Sequence, residues 1–348
     1  MNSIRRTLLK LFGAAGATAA SYPALAFADR IRILPDDGGA NPPGQDVQAS
    51  PELERALHGL SLGPAVSQGA ISVLWLHAKE PAPAVAGDVL TFDEARARGV
   101  VTIVERAQAS VPELVAENRG KSHVLLLAGE ILVGGKQNRV LREDLLLPPL
   151  SGPRNIAVYC VEQGRWSEAR AQFDSRNSVV QPNVRSQVLN RAPQSEIWSS
   201  VASAARSMQA PSPTASYQAV YDKPEVQAHL EQATRAPELT AAPGAVGAVV
   251  FVGQNLVGVD AFGSAALFGR EWPKLLRAYA LEAYGKRPGG WDEAAGRARA
   301  EGLLRGAGRV AGTVRTNPGA GRILEFAIDG RHGAALLLQD AMIHLAII

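Results

Sequence analysis

Short apolar runs separated by turns of only a few residues recur through the first half of the chain, and they restrict it to sheet structure. We predict strands over residues 70–77, 100–105, 114–117, 123–127, 139–147 and 156–162. A short helix is expected to begin after Thr91, whose hydroxyl is suited to cap it. Strands this close in sequence usually pair in opposite directions. The first half is therefore predicted to be mainly antiparallel β-structure.

Helical patterns appear after residue 193. Ile197, Val201 and Ala205 recur every four positions, which predicts a helix over 194–208. Further helices are predicted over 224–234, 268–283 and 292–305, with Pro273 near the start of the main part of the second. Strands are predicted over 246–252, 256–260, 309–315, 322–328, 333–339 and 341–347. The chain is thus predicted to be α+β, with helices and antiparallel strands together in its second half.

The N-terminal residues resemble an export signal of the twin-arginine type. Arg5 and Arg6 precede Lys10 and a run of apolar and small residues, which is followed by candidate cleavage sites. A short membrane anchor is the alternative, but the run is shorter than the ~20 residues of a spanning helix. We expect a signal over 1–28, export to the periplasm or beyond the cell, and no stable membrane anchor after cleavage.

The remainder divides into a leader and two halves. Residues 29–50 are polar and rich in Pro and Gly, which predicts a flexible leader. Residues 51–193 form the predicted β-rich half that carries the candidate site, and residues 194–348 form an α+β half packed against it. Residues 167–191 are rich in Gln, Asn, Ser and Arg without clear periodicity, and we predict a long loop there.

Charge and cysteine content narrow the possible partners. The chain has 36 Lys and Arg against 33 Asp and Glu, and removing Arg5, Arg6 and Lys10 with the signal leaves 33 of each. A nucleic-acid partner therefore has no electrostatic support. Cys160 is the only cysteine, so no disulfide can form within one chain. Its place in an alternating apolar run favours a buried hydrophobic residue over a nucleophile.

Two polar segments each follow a strand-like apolar run, and we name them the first polar segment (residues 129–139) and the second polar segment (residues 160–166). Polar side chains are costly to bury unless they are paired or used. If the segments meet at one sheet edge, they offer a ligand site for a small anion. The candidate ligand-binding residues are Gly134, Gly135, Lys136, Gln137, Asn138, Arg139, Arg165 and Trp166. The alternative is a tight hairpin turn whose charged side chains face water.

Glu130 and Glu162 are the candidate catalytic residues, because two facing carboxylates can serve as acid and base. Equally, each could be held by an arginine in a structural ion pair. Trp166 could stack against a planar ligand or cap the sheet. The chain carries no His-Glu-x-x-His, Cys-x-x-Cys or EF-hand motif, so we expect no metal, and the sequence assigns no cofactor.

The two polar segments, together with residues 90–95, 111–118 and 260–264, resemble the ADP-ribosylglycohydrolase and rhodanese-phosphatase associated protein domain family over residues 55–345. The family name suggests a genomic link to ADP-ribose or phosphate-ester metabolism. The resemblance therefore implies a nucleotide-like or ADP-ribose-like anion that is bound or hydrolysed. The alternative is a non-enzymatic interaction or structural module of the periplasm, with residues 167–191 as its contact surface. The oligomeric state stays open.

Overall fold

A computed structural model describes residues 44–80 and 89–348. The predicted signal and residues 29–43 of the predicted leader lie outside the described residues. Residues 44–50 at the end of that leader are described, and they are tied to the fold. Gln45–Val47 form a strand that pairs with residues 312–314, and the Ser50 hydroxyl caps the helix that follows.

The described residues contain eighteen strands, which we number in chain order. They are β1 (Gln45–Val47), β2 (Leu60–Gln68), β3 (Ile71–Ala78), β4 (Val89–Thr91), β5 (Val101–Glu105), β6 (Glu113–Asn118), β7 (His123–Leu126), β8 (Glu130–Val133), β9 (Arg139–Leu141), β10 (Leu145–Leu147), β11 (Gly152–Cys160), β12 (Asp174–Val179), β13 (Ala245–Val252), β14 (Asn255–Phe262), β15 (Gly312–Thr316), β16 (Arg322–Ile328), β17 (Arg331–Leu338) and β18 (Ala341–Ile347).

The same residues contain eight α-helices and one short 3-10 helix (Pro237–Leu239). The α-helices are α1 (Pro51–His58), α2 (Phe92–Ala97), α3 (Pro182–Leu189), α4 (Gln194–Ser207), α5 (Gln218–Asp222), α6 (Pro224–Arg235), α7 (Ala265–Ala283) and α8 (Glu293–Ala307). Across residues 44–80 and 89–348, none of the helices combines the length and apolar character of a membrane span.

The strands form three sheets. Nine strands lie in the order β1-β15-β16-β17-β18-β14-β13-β3-β2, six in the order β12-β8-β9-β11-β6-β5, and three in the order β10-β7-β4. Between the described strands, β4 and β7 run parallel and the other pairings are antiparallel. The predicted α+β class is confirmed.

The largest sheet crosses the predicted division at residue 193. Strands β2 and β3 come from the first half of the chain, yet β3 pairs with β13 from the second half. Strand β13 is buried along its whole length, so it needs covered faces on both sides and neighbours on both edges. The two halves therefore share one sheet. Pairing between strands so far apart in the chain leaves no local sequence pattern, so the sequence could not show that the sheet crosses residue 193.

Helix α7 packs the aromatic core. The Ser264 hydroxyl caps its start, and Trp272 meets Trp75 of β3 edge to face with ring centroids 5.2 Å apart. On the opposite face of β3, Leu74 belongs to a second apolar cluster that includes Leu303 of α8. The alternating side chains of β3 thus join two hydrophobic layers, and the aromatic residues of α7 belong to the core.

The sequence predicted a long loop over residues 167–191, and this prediction is wrong. These residues contain β12 and α3. Strand β12 pairs with β8 through an irregular register, so its polar residues show no clean alternation. Helix α3 buries Arg185 beside Val184 and Val188. Because a charged residue is among its buried positions, the sequence of α3 shows no clear apolar periodicity.

Two smaller predictions also differ from the structure. Pro273 is the ninth residue of α7 instead of standing near its start. Its missing N–H removes one internal hydrogen bond, and the surrounding core holds the helix together. The predicted strand over 139–147 is divided into β9 and β10, because Asp144 between them turns into the core to bind His344.

Helix α2 begins with the cap that the sequence predicted at Thr91. The Thr91 hydroxyl accepts from the Glu94 N–H at 3.2 Å, and the Glu94 carboxylate accepts from the Thr91 N–H at 2.9 Å. We expect Thr91→Ala to lower the free energy of unfolding by about 1 kcal/mol, as loss of a helix cap usually does. Urea unfolding followed by circular dichroism measures this loss. Ser203→Ala, on the exposed face of α4, should change stability by less than about 0.5 kcal/mol.

Candidate functional site

The two polar segments lie side by side, as the sequence predicted. Strands β8 and β9 form a hairpin whose turn contains residues 134–138, and β9 pairs with the end of β11 so that Arg139 lies opposite Cys160. The Asn138 N–H donates to Glu162 Oε2 at 3.0 Å, and Gln137 Nε2 donates to the Gln163 carbonyl at 3.4 Å. The end of β11 therefore delivers the second polar segment onto the turn of the first.

The glycine turn has no free backbone donor among its first three residues. Gly134, with φ +147, donates to Asn138 Oδ1 at 3.1 Å, and Gly135, with φ +48, donates to the Arg170 carbonyl at 3.0 Å. The Lys136 N–H donates to Glu105 Oε1 at 2.9 Å. The turn thus holds a carboxylate, and the chain itself supplies it through Glu105.

Arg165 fixes the turn in place. Its guanidinium donates to the Gly135 carbonyl at 2.7 Å and to Glu162 Oε2 at 2.6 Å. Nη2 also lies 3.2 Å from Asn138 Oδ1. These contacts join both polar segments through one planar cation, which is the structural ion pair that the sequence left open for one of the two glutamates.

Glu162 is an ionised and fully bonded carboxylate. Burial alone would raise its pKa, but hydrogen bonds from Arg165, the Asn138 N–H and Thr214 hold the pKa of Glu162 below its ordinary value. The Thr214 hydroxyl donates to Oε1 at 2.8 Å. A carboxylate with these three donors orients its neighbours and has little capacity to accept a proton near neutral pH.

Glu130 lies in a different environment, deep in the core. Its Oε1 is 2.5 Å from Lys274 Nζ, and its Oε2 accepts from the Leu127 N–H at 3.0 Å. Burial raises the pKa of Glu130 to about 8, with Lys274 opposing the shift and Asp93 adding to it. Glu130 is 0% exposed, so a ligand cannot reach it in this conformation.

The structure does not bring the two candidate catalytic residues together. Glu130 contacts Lys274 and the Leu127 N–H in the core, whereas Glu162 contacts Asn138 of the turn and Thr214. The two carboxylates share no hydrogen-bond partner within the described part of the chain. An acid and base pair of Glu130 and Glu162 therefore finds no support in the geometry.

Arg139 is buried with part of its guanidinium unused. Its Nη1 donates to Gln137 Oε1 at 3.1 Å, and its Nη2 lies 3.9 Å from Glu105 Oε1, beyond hydrogen-bond distance. Neither Nε nor Nη2 has a hydrogen-bond partner in the described residues, and the side chain is 0% exposed. Burial lowers the pKa of Arg139 from its ordinary value.

Lys136 and Trp166 form the outer face of the site. The Lys136 ammonium lies 5.2 Å from the centre of the Trp166 ring, and this ring is 51% exposed. Within the described residues, that ammonium makes no hydrogen bond and no ion pair. A cation above an aromatic face is favourable, and this pair keeps both a positive charge and an aromatic surface open to solvent.

A cavity of about 200 Å³ adjoins the second polar segment. Its apolar wall is α4, with Trp198, Val201 and Ala205, and its polar wall includes Gln163 and Ser216. Ser216 in turn accepts from Asn138 Nδ2 at 3.1 Å. The cavity thus shares residues and contacts with the segments that carry the candidate site.

Several residues that shape the site were not among the candidates predicted from the sequence. Glu105 and Thr214 bind the polar segments from distant parts of the chain, and Lys274 reaches Glu130 from the middle of α7. The position of Glu105 at the end of a predicted strand was the available signal. Lys274 stands among the apolar residues of a core helix, which was the signal for a buried charge.

A second buried network lies on the other side of Glu130. His344 Nδ1 lies 2.6 Å from Asp144 Oδ2, and its Nε2 lies 3.0 Å from Asp260 Oδ1. Arg185 binds Asp260 at 2.8 Å and also donates to the Ala128 carbonyl. Burial alone would lower the pKa of His344, but the two carboxylates raise it to about 9. This network joins the sheets and leaves its members no open surface.

The described residues hold no group of His, Cys, Asp and Glu side chains arranged to bind a metal ion. Comparison with known proteins identifies one family. The model of ARPP-1, described as the ARG and Rhodanese-Phosphatase-superfamily-associated Protein domain, matches residues 59–348. No curated protein and no solved structure matches the chain. The resemblance inferred from the two polar segments is confirmed.

Proposed function

We propose that this chain, which belongs to the family of ARG and Rhodanese-Phosphatase-superfamily-associated Protein domains, binds a small anionic molecule where its two polar segments meet. The family name states an association and no reaction. We further propose, from the N-terminal sequence, that a twin-arginine signal exports the protein to the periplasm.

The observation that carries the proposal is positive charge without a partner. Lys136, Arg139 and Arg165 stand against Glu105 and Glu162, which leaves one positive charge in excess. Arg165 is used by Glu162, but the Lys136 ammonium and Nε and Nη2 of Arg139 have no hydrogen-bond acceptor in the described residues, and Nη2 comes no closer than 3.9 Å to Glu105 Oε1. Buried donors without acceptors are rare in folded proteins. An anion beside the Lys136 ammonium would supply an acceptor there, and one that also reached the enclosed Arg139 would satisfy its donors.

The accessible part of the site favours a ligand that has a planar group beside its anion. Trp166 presents about half of its surface to solvent next to Lys136. Aromatic rings stack well on such a surface. A nucleotide or an ADP-ribose derivative combines a planar base with phosphate groups, and its chemistry matches this pair of side chains.

The geometry supports binding better than catalysis by the two glutamates. Glu130 is enclosed, and Glu162 already accepts three hydrogen bonds. A non-enzymatic interaction module is the second candidate, because Glu162 and Arg165 bind each other while the Trp166 side chain stays half exposed. The ligand of that module would be a protein surface instead of a small anion.

Calorimetric titration of the full chain with ADP-ribose, AMP and adenosine tests the proposal. We expect both phosphates to bind and adenosine to bind at least tenfold more weakly. Lys136→Ala should weaken binding of AMP about tenfold, which is about 1.4 kcal/mol. Lys121→Ala removes an exposed lysine of the β6–β7 turn and should leave the affinity unchanged. Equal affinities for the two alanine variants, or no binding of either phosphate, would reject the anion site.

A further inference from the structure

Glu105 lies against the glycine turn and the buried guanidinium of Arg139. It ends β5, and its Oε1 lies 2.9 Å from the Lys136 N–H and 3.9 Å from Arg139 Nη2. A Cβ atom on Gly135 would lie 2.6 Å from the same oxygen, so the glycine lets the carboxylate approach the turn. The turn, the buried arginine and the carboxylate thus form one compact contact.

The fit between Glu105 and its surroundings is incomplete. Its Oε2 is buried without a hydrogen-bond partner, and so are Nε and Nη2 of Arg139. A matched guanidinium and carboxylate form two parallel hydrogen bonds of about 2.7–2.9 Å. Here the only approach of the pair is 3.9 Å. Glu105 therefore supplies negative charge at this position but does not satisfy the donors of Arg139.

The unsatisfied donors point to a ligand with more acceptor atoms than a carboxylate has. Nε and Nη2 of Arg139 have no acceptor, and the Lys136 N–H has a single carboxylate oxygen of Glu105. A phosphate group has oxygens on several sides and can accept from donors that a planar carboxylate reaches only in part.

We infer that Glu105 is an internal ligand of a phosphate site formed by the 134–136 turn and Arg139, and that a phosphate group binds by displacing it. This inference rests on the proposed function and adds that Glu105 competes with the anion for the site. The Glu105 side chain is 12% exposed, so it lies at the boundary between Arg139 and solvent. Glu105 is the last residue of β5, directly before the connection to β6.

Competition with Glu105 lowers the affinity of the site for phosphate. Glu105→Gln removes the internal negative charge, while its amide oxygen can still accept from the Lys136 N–H. We expect this variant to bind inorganic phosphate at least tenfold more tightly than the natural chain. Glu117→Gln neutralises a carboxylate on the neighbouring β6, which pairs with Arg119, and should leave the affinity unchanged.

Calorimetric titration of the full chain and its variants with inorganic phosphate decides the matter. Unchanged or weaker binding by Glu105→Gln would overturn the inference, and the proposed function would stand if binding still depended on Lys136. Binding to none of the variants would reject both. If Glu105→Gln does not fold, Glu105→Asp retracts the carboxylate by one methylene and should also bind phosphate more tightly. An equal or lower affinity of that variant would overturn the inference as well.

Discussion

Replacing Lys274 by methionine is expected to lower the free energy of unfolding by about 3–5 kcal/mol, the range found when a buried ion pair loses one partner. The Lys274 ammonium lies 2.5 Å from Glu130 and 2.9 Å from Glu271. It also lies 3.0 Å from Asp93. Burial alone would lower the pKa of Lys274, but these three carboxylates hold it well above its ordinary value. Methionine keeps the volume and leaves the carboxylates without a counter-ion.

Urea unfolding measures the loss, and a second substitution isolates its cause. Lys274→Met combined with Asp93→Asn should recover part of the stability, because, against the effect of burial, Lys274 helps to hold the pKa of Asp93 below its ordinary value and this ionised carboxylate would no longer lack a cation. Lys286→Met replaces an exposed lysine just after α7 and should change stability by less than about 0.5 kcal/mol. A loss below about 1 kcal/mol for Lys274→Met would contradict the buried network. Folded Lys274→Met should also keep its affinity for phosphate, because Glu130 lies outside the proposed site.

Replacing His344 by glutamine is expected to remove a pH-dependent stabilisation of about 3 kcal/mol. The carboxylates of Asp144 and Asp260 overcome the effect of burial and raise the pKa of His344 from 6.5 to about 9. A raised folded-state pKa means that the charged form stabilises the fold. The contribution is therefore complete below about pH 6.5 and is lost as the pH rises through 9, at about 1.4 kcal/mol for each pH unit of difference.

The measurement is the free energy of unfolding at several pH values between 6 and 10. The difference between the natural chain and His344→Gln should be largest at pH 6 and should fall steadily above pH 7. His58→Gln, whose side chain is exposed on α1, should follow the natural chain throughout. A difference that does not vary with pH would show that His344 contributes by packing alone.

Local sequence signals predicted most of the individual elements. The apolar alternation of β3 and the four-residue spacing of α4 are properties of short windows, and both elements lie within a residue or two of their predicted bounds. The Thr91 cap was predicted on the same basis. Pairing between distant strands is different, because the attachment of β13 to β3 depends on which buried surfaces are complementary. No window of the sequence contains that information.

The candidate site was predicted only in part, because some of its contacts also come from distant parts of the chain. The register of β9 on β11 brought the two polar segments together, as their positions at strand ends suggested. The partners of their charges come from elsewhere, with Glu105 on β5 and Lys274 on α7. Glu130 binds Lys274 in the core, whereas Glu162 binds Arg165 at the turn. The two glutamates look equivalent in the sequence but lie in different environments.

The position of a bound oxyanion in a crystal tests the proposed anion site. Crystals of the full chain grown with tungstate, a heavy analogue of phosphate, allow the ion to be located by anomalous scattering. We expect tungstate within about 4 Å of the Lys136 ammonium or of Arg139 Nη2, the distance of an ion pair, with the Glu105 side chain turned away. Tungstate bound only elsewhere, with Glu105 still on the Lys136 N–H, would contradict the account.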